Sequence, residues 1–469
     1  MSAAETTSQP LGGTGALTIE VLDTPTLGDR SYVVHDGQVA LVIDPQRDID
    51  RVLEVAEAAK VRITHVFETH IHNDYLTGGL ALAQLLGAAY HVNAQDPVSF
   101  ERVGVRDGDV VEVSPAMSLR VIATPGHTLT HLSYALSSGA EPVGVFTGGS
   151  LLFGSTGRPD LMGPEHTQEL VHHQYASAHR LADELPGHTH VLPTHGFGSF
   201  CSAGSSEGAT ASTIAQEMQQ NPAYSMEEQA WVEQTLAGLD AYPAYYVHMS
   251  PGNSAGPERA DLSAPELADK SILAQRIQTG EWVVDLRNRT AFASGHVTGT
   301  FNFGIDGQFA TYVGWLIPWG APLTLLGDTP EQVAEAQREL VRIGIDRLEG
   351  AATGSPQEWT DETLGSFQRA EFAELAQVRH HRKVAVLDVR RAQEFDEGHI
   401  EGAVNIPIHE ILDRVDDVPT GEVWVHCAGG YRSSIAASVL AAAGRHVVSV
   451  DDNFERAAEA GLPLTGASA

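Results

Sequence analysis

The sequence predicts an α/β protein built from several globular domains, and three features carry that reading. In the first half, apolar strand-like segments such as YVVHDGQVALVID and LRVIATP alternate with helical stretches such as DRVLEVAEAAK and TGGLALAQLLG. A stretch rich in Pro, Gly and Ser, VHMSPGNSAGPERADLSAP, then interrupts the chain without helical or strand periodicity. Beyond it, VVDLRNRTAFASGHVTGTFNF is echoed by VLDVRRAQEFDEGHIEGAVNI at a constant offset, the mark of a duplicated fold. With 469 residues and 42% hydrophobic content, the chain can supply a core to each of about three domains.

The N-terminal MSAAETTSQPLGGTG, residues 1–15, has neither a basic start nor an apolar signal core and reads as a disordered leader on a cytoplasmic protein. No run of about 18 apolar residues occurs, so a membrane is not expected as a partner. The formal charge of -33 is spread along the chain, which favours solubility and argues against nucleic acid as a partner. Two cysteines, Cys201 and Cys427, make no disulfide framework, so packing or reactivity must account for each.

Residues 16–247 are expected to form the first domain. There ITHVF reads as a buried strand, and His70, His72 and Asp74 alternate just after it in ETHIHNDYLTGG, a placement that suits a metal. Tyr75 follows where a further ligand would be expected. His127 lies in TPGHTLTHLSY and His195 in VLPTHGFGSF, again at segment exits. Cys201 follows in a Gly/Ser-rich loop, with sulfur relay and a packed thiol as the two readings. Arg158 and Asp160 are expected to pair locally, His172, His173 and His179 to lie on a helix surface, and YSMEEQAWVEQTLAGL to form an amphipathic helix closing the domain.

The repeat divides the remainder into residues 262–358 and 368–469, with a break near 350–368. Asp285, Arg287, Phe292, Gly295, His296, Gly299 and Asn302 pair with Asp388, Arg390, Phe395, Gly398, His399, Gly402 and Asn405. Asp388, Arg390 and His399 are read as structural. In the second copy an apolar strand precedes Cys427 and an alanine-rich helix follows Ser433, so the thiol sits among backbone N–H groups at a helix N-terminus, beside Arg432. In the first copy Gly327 falls at the cysteine position, and Asp328 before TPEQ reads as a helix cap.

CAGGYR, preceded by LDVR and EGHIEGAVNIP, resembles the rhodanese sulfurtransferases. The resemblance implies that Cys427 carries a persulfide, with Ala428, Gly429, Gly430, Tyr431 and Arg432 cradling the transferred sulfur. It also implies that the first copy, lacking the thiol, is a silent spacer or interface. The HxHxD motif, the TPGH segment and the late histidine resemble, in that order, the metallo-β-lactamase superfamily, an αββα sandwich with metal at one edge. FTGGSLLFGSTGRPDL narrows the resemblance to the persulfide dioxygenase branch, including fusions to a silent and then an active rhodanese copy. In that branch an aspartate joins the first motif histidine and the TPGH histidine around one iron.

Here Gly149 stands at that aspartate's position and Tyr75 at that of the motif's last histidine. Two-metal hydrolysis is therefore disfavoured. The expectation is at most one Fe(II) per chain, with zinc or no metal as alternatives, held by His70, His127 and His72. Asp74, Tyr75 and His195 would be further ligands or site wall. Gly149 is expected to leave open space, so that Gly149→Asp would restore a ligand. The activity implied is oxidation of a low-molecular-weight persulfide to sulfite and sulfane sulfur transfer through Cys427, with persulfide, thiosulfate or sulfite as small-molecule partners and a homo-oligomer left open. Sulfurtransfer alone, on a metal-poor first domain, is one alternative. A non-catalytic sulfide sensor is another.

Overall fold

The structure, a computed structural model, describes residues 6–11, 17–203 and 210–466. It comprises two compact units: the first ends at Asp261 and takes in Val341–Gly344, and the second holds the rest from Leu262.

In the first unit, seven strands pair in chain order: Thr6–Leu11, Leu17–Thr24, Asp29–His35, Val39–Ile43, Arg62–Phe67, Ala89–Asn93 and Val103–Val105. A second sheet has the order Ser212–Thr213, His190–Pro193, Glu141–Gly148, Leu132–Ser138, Met117–Ala123 and Val110–Ser114. The all-apolar VALVI of Val39–Ile43 shows why they stack. Leu41 and Ile43 face the second sheet in a core shared with Leu119, Val121, Tyr134 and Phe146, while Ala40 and Val42 face the opposite way, with Val52 and Leu82 of the outer helices. This period-two division of one buried strand between two layers needs apolar side chains on both faces. On the far side, the helix Pro164–Glu184 buries Val171, Ala178 and Leu181 against Ala135 and Val145. The result is the αββα sandwich implied by the sequence resemblance. Parallel pairing of Val39–Ile43 with Arg62–Phe67, and of Glu141–Gly148 with His190–Pro193, brings the exits of each pair to one edge of its sheet.

Several local expectations are corrected. Residues 6–11, assigned to a disordered leader, pair antiparallel with Leu17–Leu22, whereas residues 1–5 and 12–16 lie outside the described residues. The stretch read as a linker from residue 247 begins with a helix, Tyr246–Ala255, and the first unit continues to Asp261. Pro251 in that helix masked its periodicity. Thr329, rather than Asp328, caps the helix Pro330–Arg342, its hydroxyl accepting from Gln332 N–H at 3.3 Å. Among the described residues no helix is long and apolar enough to cross a membrane.

The second unit contains two parallel sheets of matching order. Phe301–Asn302, Trp282–Asp285, Leu323–Gly327 and Leu348–Thr353 form one; Val404–Asn405, Ala385–Asp388, Glu422–His426, His446–Val450 and Gln368–Ala370 form the other. The repeated residues make the same buried network twice. Arg287 Nη2 donates to Asp285 (2.6 Å) and to Gly295 O (2.9 Å), as Arg390 Nη2 does to Asp388 (2.7 Å) and Gly398 O (2.8 Å). Asn302 donates to the carbonyls of Asp285 and Arg287, and Asn405 to those of Asp388 and Arg390. His296 and His399 stack on Phe292 and Phe395 with centroids 4.0 and 3.6 Å apart.

The recurring charges thus close a strand end onto a turn. Asp388 is fully buried, so Asp388→Ala leaves Arg390 without its counter-charge and should destabilise the second unit by about 3–5 kcal/mol. Urea titration of the full chain followed by tryptophan fluorescence measures this, because Trp282, Trp315, Trp319, Trp359 and Trp424 lie in that unit and only Trp231 does not.

Candidate metal centre and sulfur-transfer loop

Strand exits of both sheets converge in the first unit. Asp44, directly after Val39–Ile43, has the left-handed φ of 50° that Asp tolerates better than bulkier residues. Its carboxylate accepts from Thr69 N–H and Oγ1 (both 2.7 Å) and from Thr194 Oγ1 (2.5 Å), joining exits of both sheets. The loop carrying His72 and Tyr75 is clamped by Asn253: its Oδ1 accepts from Thr77 N–H (2.9 Å), and its Nδ2 donates to the carbonyls of His72 (2.9 Å) and Tyr75 (2.8 Å). Asn253 belongs to the segment read as linker, and no sequence pattern marked it.

The histidines divide by charge. His72 Nε2 faces Asp44 at 3.3 Å, Glu68 at 3.2 Å and the Tyr75 hydroxyl at 3.0 Å. Burial disfavours a cation there, but the two carboxylates outweigh it and raise the His72 pKa to about 9. His195 Nδ1 lies 2.9 Å from Asp29 and 3.1 Å from Asp74. Burial opposes its charge too, and Asp74 and Asp29 override it, holding the imidazolium well above the usual range. Burial together with the neighbouring Asp74 charge lifts Asp29 to about 7.

His127 is different: burial and the facing His195 push it down to about 3, its Nδ1 lies 2.9 Å from Arg158 O, and its Nε2 is buried without a partner. His131, which the sequence reading passed over although it stands in TPGHTLTHLSY, accepts from Gly149 N–H at 3.0 Å and stacks on His70 with centroids 4.9 Å apart.

The expected trio of His70, His72 and His127 is not what converges. Ligand atoms of His70, His72 and His195 lie within 4.8 Å of one another, as do those of His127, His195 and Cys201, and those of Asp29, Asp74 and His195. His195, read as wall or ligand, is common to these three sets, and a fourth, Asp44, Glu68 and His72, forms without it. His72 meets the distance requirement, with Nδ1 buried without a partner and Nε2 facing Asp44 and Glu68. Tyr75 turns its hydroxyl to that same nitrogen. Cys201 is fully buried, and burial with Asp74 nearby raises its thiol well above the usual range. Arg158 and Asp160 form the expected pair, with two contacts of 2.7 Å.

In the second unit, Cys427 lies between the strand Glu422–His426 and the helix Tyr431–Ala442. Its Sγ accepts from Gly430 N–H at 3.1 Å and lies 3.7 Å from Ser433 Oγ. Gly430 has φ 93°, and a Cβ there would come within 2.0 Å of Asp451, so only glycine gives this loop its shape. A Cβ at Gly429 would meet nothing within 4 Å. Ala428 O anchors the loop by accepting from Phe454 N–H at 2.9 Å.

Arg432 turns to Glu394 through contacts of 2.6 and 2.8 Å. Burial alone would raise the Glu394 pKa, but Arg432 overrides it and holds the carboxyl down at about 2. Tyr431 leaves the loop altogether and donates to Gly304 O of the first copy at 2.7 Å. Ser434 Oγ donates to Asn302 Oδ1 (2.8 Å), Asn302 N–H donates to Ser438 Oγ (2.9 Å), and Arg289 pairs with Asp451 (2.7 Å). The copy without a nucleophile is therefore packed against the helix behind Cys427, an interface between the two copies.

Residues 371–460 match the family model described as Rhodanese-like domain. The chain is 26% identical to the metallo-beta-lactamase from Staphylococcus aureus subsp. aureus COL, whose structure covers 72% of this chain and is itself 99% covered, with a TM-score of 0.64. This chain is a metallo-β-lactamase-fold and rhodanese fusion. The fusion is 29% identical over 204 residues to the Persulfide dioxygenase ETHE1, mitochondrial, of Bos taurus, covering 42% of this chain and 70% of that protein. It is also 32% identical over 161 residues to the Hydroxyacylglutathione hydrolase of Polaromonas sp., covering 34% of this chain. The fusion spans 57% of that hydrolase's length.

His and Asp groups of the fusion can hold a metal, but not the set of two imidazoles and a carboxylate that the resemblance implied. A Cβ at Gly149 would stand 2.2 Å from His127 Cδ2 and 2.7 Å from its Nε2. The space expected at Gly149 is filled by the His127 ring, which is tethered through Nδ1. Gly149→Asp should consequently lower metal retention and cost about 1–3 kcal/mol through overpacking. Metal analysis and thermal unfolding of the variant measure both, and a rise in bound iron would show that the ring swings aside. In the second unit, Asn302→Ala leaves the Ser434 hydroxyl and two buried carbonyls short of a partner, so a loss of about 1–3 kcal/mol and slower chemistry at Cys427 are expected from denaturation and sulfur-transfer assays.

Proposed function

We propose that this fusion is a sulfur-metabolism enzyme that transfers sulfane sulfur through Cys427. The observation carrying the proposal is the loop itself: a buried sulfur accepts a backbone N–H at 3.1 Å where a helix begins, and Gly430 makes that approach sterically feasible. Backbone N–H groups and a helix N-terminus stabilise a thiolate and equally the charge of a bound persulfide. In the proposed reaction the Cys427 thiolate attacks the sulfane sulfur of R–S–SH or thiosulfate. A Cys427 persulfide forms, and the thiolate RS⁻ or sulfite leaves with the electron pair of the broken S–S bond. An acceptor nucleophile, such as cyanide or a thiol, then takes the outer sulfur and returns the thiolate.

Arg432 and Glu394 hold the first turn of the helix in place, and the open side of Gly429 is where a substrate can approach. Persulfide oxidation to sulfite in the first unit is the second reading, supported by the similarity to a protein named a persulfide dioxygenase. The donors found there do not reproduce the implied iron site, so no oxidation step is assigned to particular residues.

Cys427→Ser should abolish sulfur transfer to cyanide while Cys201→Ser spares it; transfer retained by the Cys427 variant would sink the proposal. Persulfide-dependent oxygen uptake by the full chain tests the second reading separately, and its absence from metal-loaded protein would remove that reading while leaving the transferase intact.

A further inference from the structure

The geometry points to a metal site in which Cys201 is a ligand, together with His127 and His195, for a thiophilic divalent cation such as zinc. Ligand atoms of the three residues, all buried, already lie within 4.8 Å of one another. Tetrahedral zinc, with bonds of about 2.0–2.3 Å, separates its ligands by roughly 3.3–3.8 Å, so a contraction of about 1 Å would close the set. The first two thirds of this site are positioned by a single residue. Arg158 O faces His127 Nδ1 at 2.9 Å, Arg158 N–H donates to Cys201 O at 2.9 Å, and the Arg158 guanidinium reaches Phe200 O at 3.2 Å.

A second observation is independent of the thiol. His127 Nε2 is buried with no hydrogen-bond partner, while the ring's other nitrogen faces a backbone carbonyl. That is the arrangement of a metal-bound imidazole, in which the outer N–H is anchored and the inner lone pair faces the ion. Left without a ligand, such an atom carries an uncompensated desolvation penalty. His195 has the complementary outer partners, Asp29 and Asp74, at 2.9 and 3.1 Å. Carboxylates behind a ligating imidazole raise its donor strength.

The site also accounts for Gly149. The anionic donor missing at position 149 is supplied instead by a thiolate from the loop after His195, and the glycine makes room for the His127 ring. Two imidazoles and one thiolate select zinc or cobalt over a hard, oxygen-rich ion, and they leave a fourth position open. This inference does not rest on sulfur transfer at Cys427.

The chain has two cysteines, so the full-length Cys427→Ser protein carries Cys201 as its sole thiol. Loaded with zinc, it should bind one equivalent and show one sulfur scatterer at about 2.3 Å in X-ray absorption. Loaded with cobalt(II), it should show a thiolate-to-cobalt charge-transfer band. Adding Cys201→Ser should remove the sulfur scatterer and the band and weaken binding by at least about tenfold, the lower bound for loss of even an outer-sphere partner. A coordination shell of nitrogen and oxygen alone, failure to bind either metal, or affinity unchanged by Cys201→Ser would each overturn the inference. Should the double variant fail to fold, the absorption spectrum of the Cys427→Ser protein decides by itself. Sulfur transfer is assayed on the unmodified chain, so the two proposals fail separately.

Discussion

The first unit is organised around one buried carboxylate. Asp44 ends a strand of the seven-stranded sheet, yet two of its hydrogen-bond donors come from Thr69 and the third from Thr194, at the exit of a strand in the other sheet. A bare carboxylate in this interior would cost several kcal/mol, and these donors, with His72 beyond them, are what make it tenable. Because they come from separate strand exits, satisfying Asp44 fixes those exits relative to one another. The adjoining residues, His70 and His195, are then delivered to one place with their Nε2 atoms 3.3 Å apart. The arrangement of the centre is therefore a by-product of meeting a desolvation cost.

Around that anchor the charges alternate. His72 between Asp44 and Glu68, and His195 between Asp29 and Asp74, are two imidazoles each faced by two carboxyl groups that favour their charged forms, whereas burial and the facing His195 push His127 the other way. Tyr75 fits this order as a neutral polar group packed on His72, where another imidazole would add to the positive charge. The substitution is coherent with its surroundings rather than a defect in them.

Much of this was legible in the sequence. Period-two apolar segments gave the layers, the constant offset gave the duplicated sheet, and the ordered histidines gave the strand exits. What escaped were groups whose role depends on long-range partners. Asp29 and Asn253 meet the centre from 166 residues before His195 and 181 residues after His72, and nothing local distinguishes them from other Asp and Asn residues. Gly149 was noticed for the carboxylate it lacks; that the His127 ring fills the vacated volume is a statement about tertiary packing. Tyr431 belongs to a recognisable loop motif, but its hydroxyl serves the contact between copies, which the motif does not encode.

The duplicated Asp–Arg–Asn network bears on how such a chain can change over time. In both copies it ties a strand end to a turn, and it shares no residue with the segment that carries Cys427 in one copy and Gly327 in the other. Folding and chemistry are thus written in separate stretches of the same repeat. Mutational drift at the chemical position meets no opposition from the folding network, so a copy can surrender its reactivity in one step and persist as a well-formed neighbour. Once its side chains meet the helix behind the surviving thiol, as Asn302 meets Ser434 and Ser438, natural selection has a reason to retain it that is unrelated to turnover of its own.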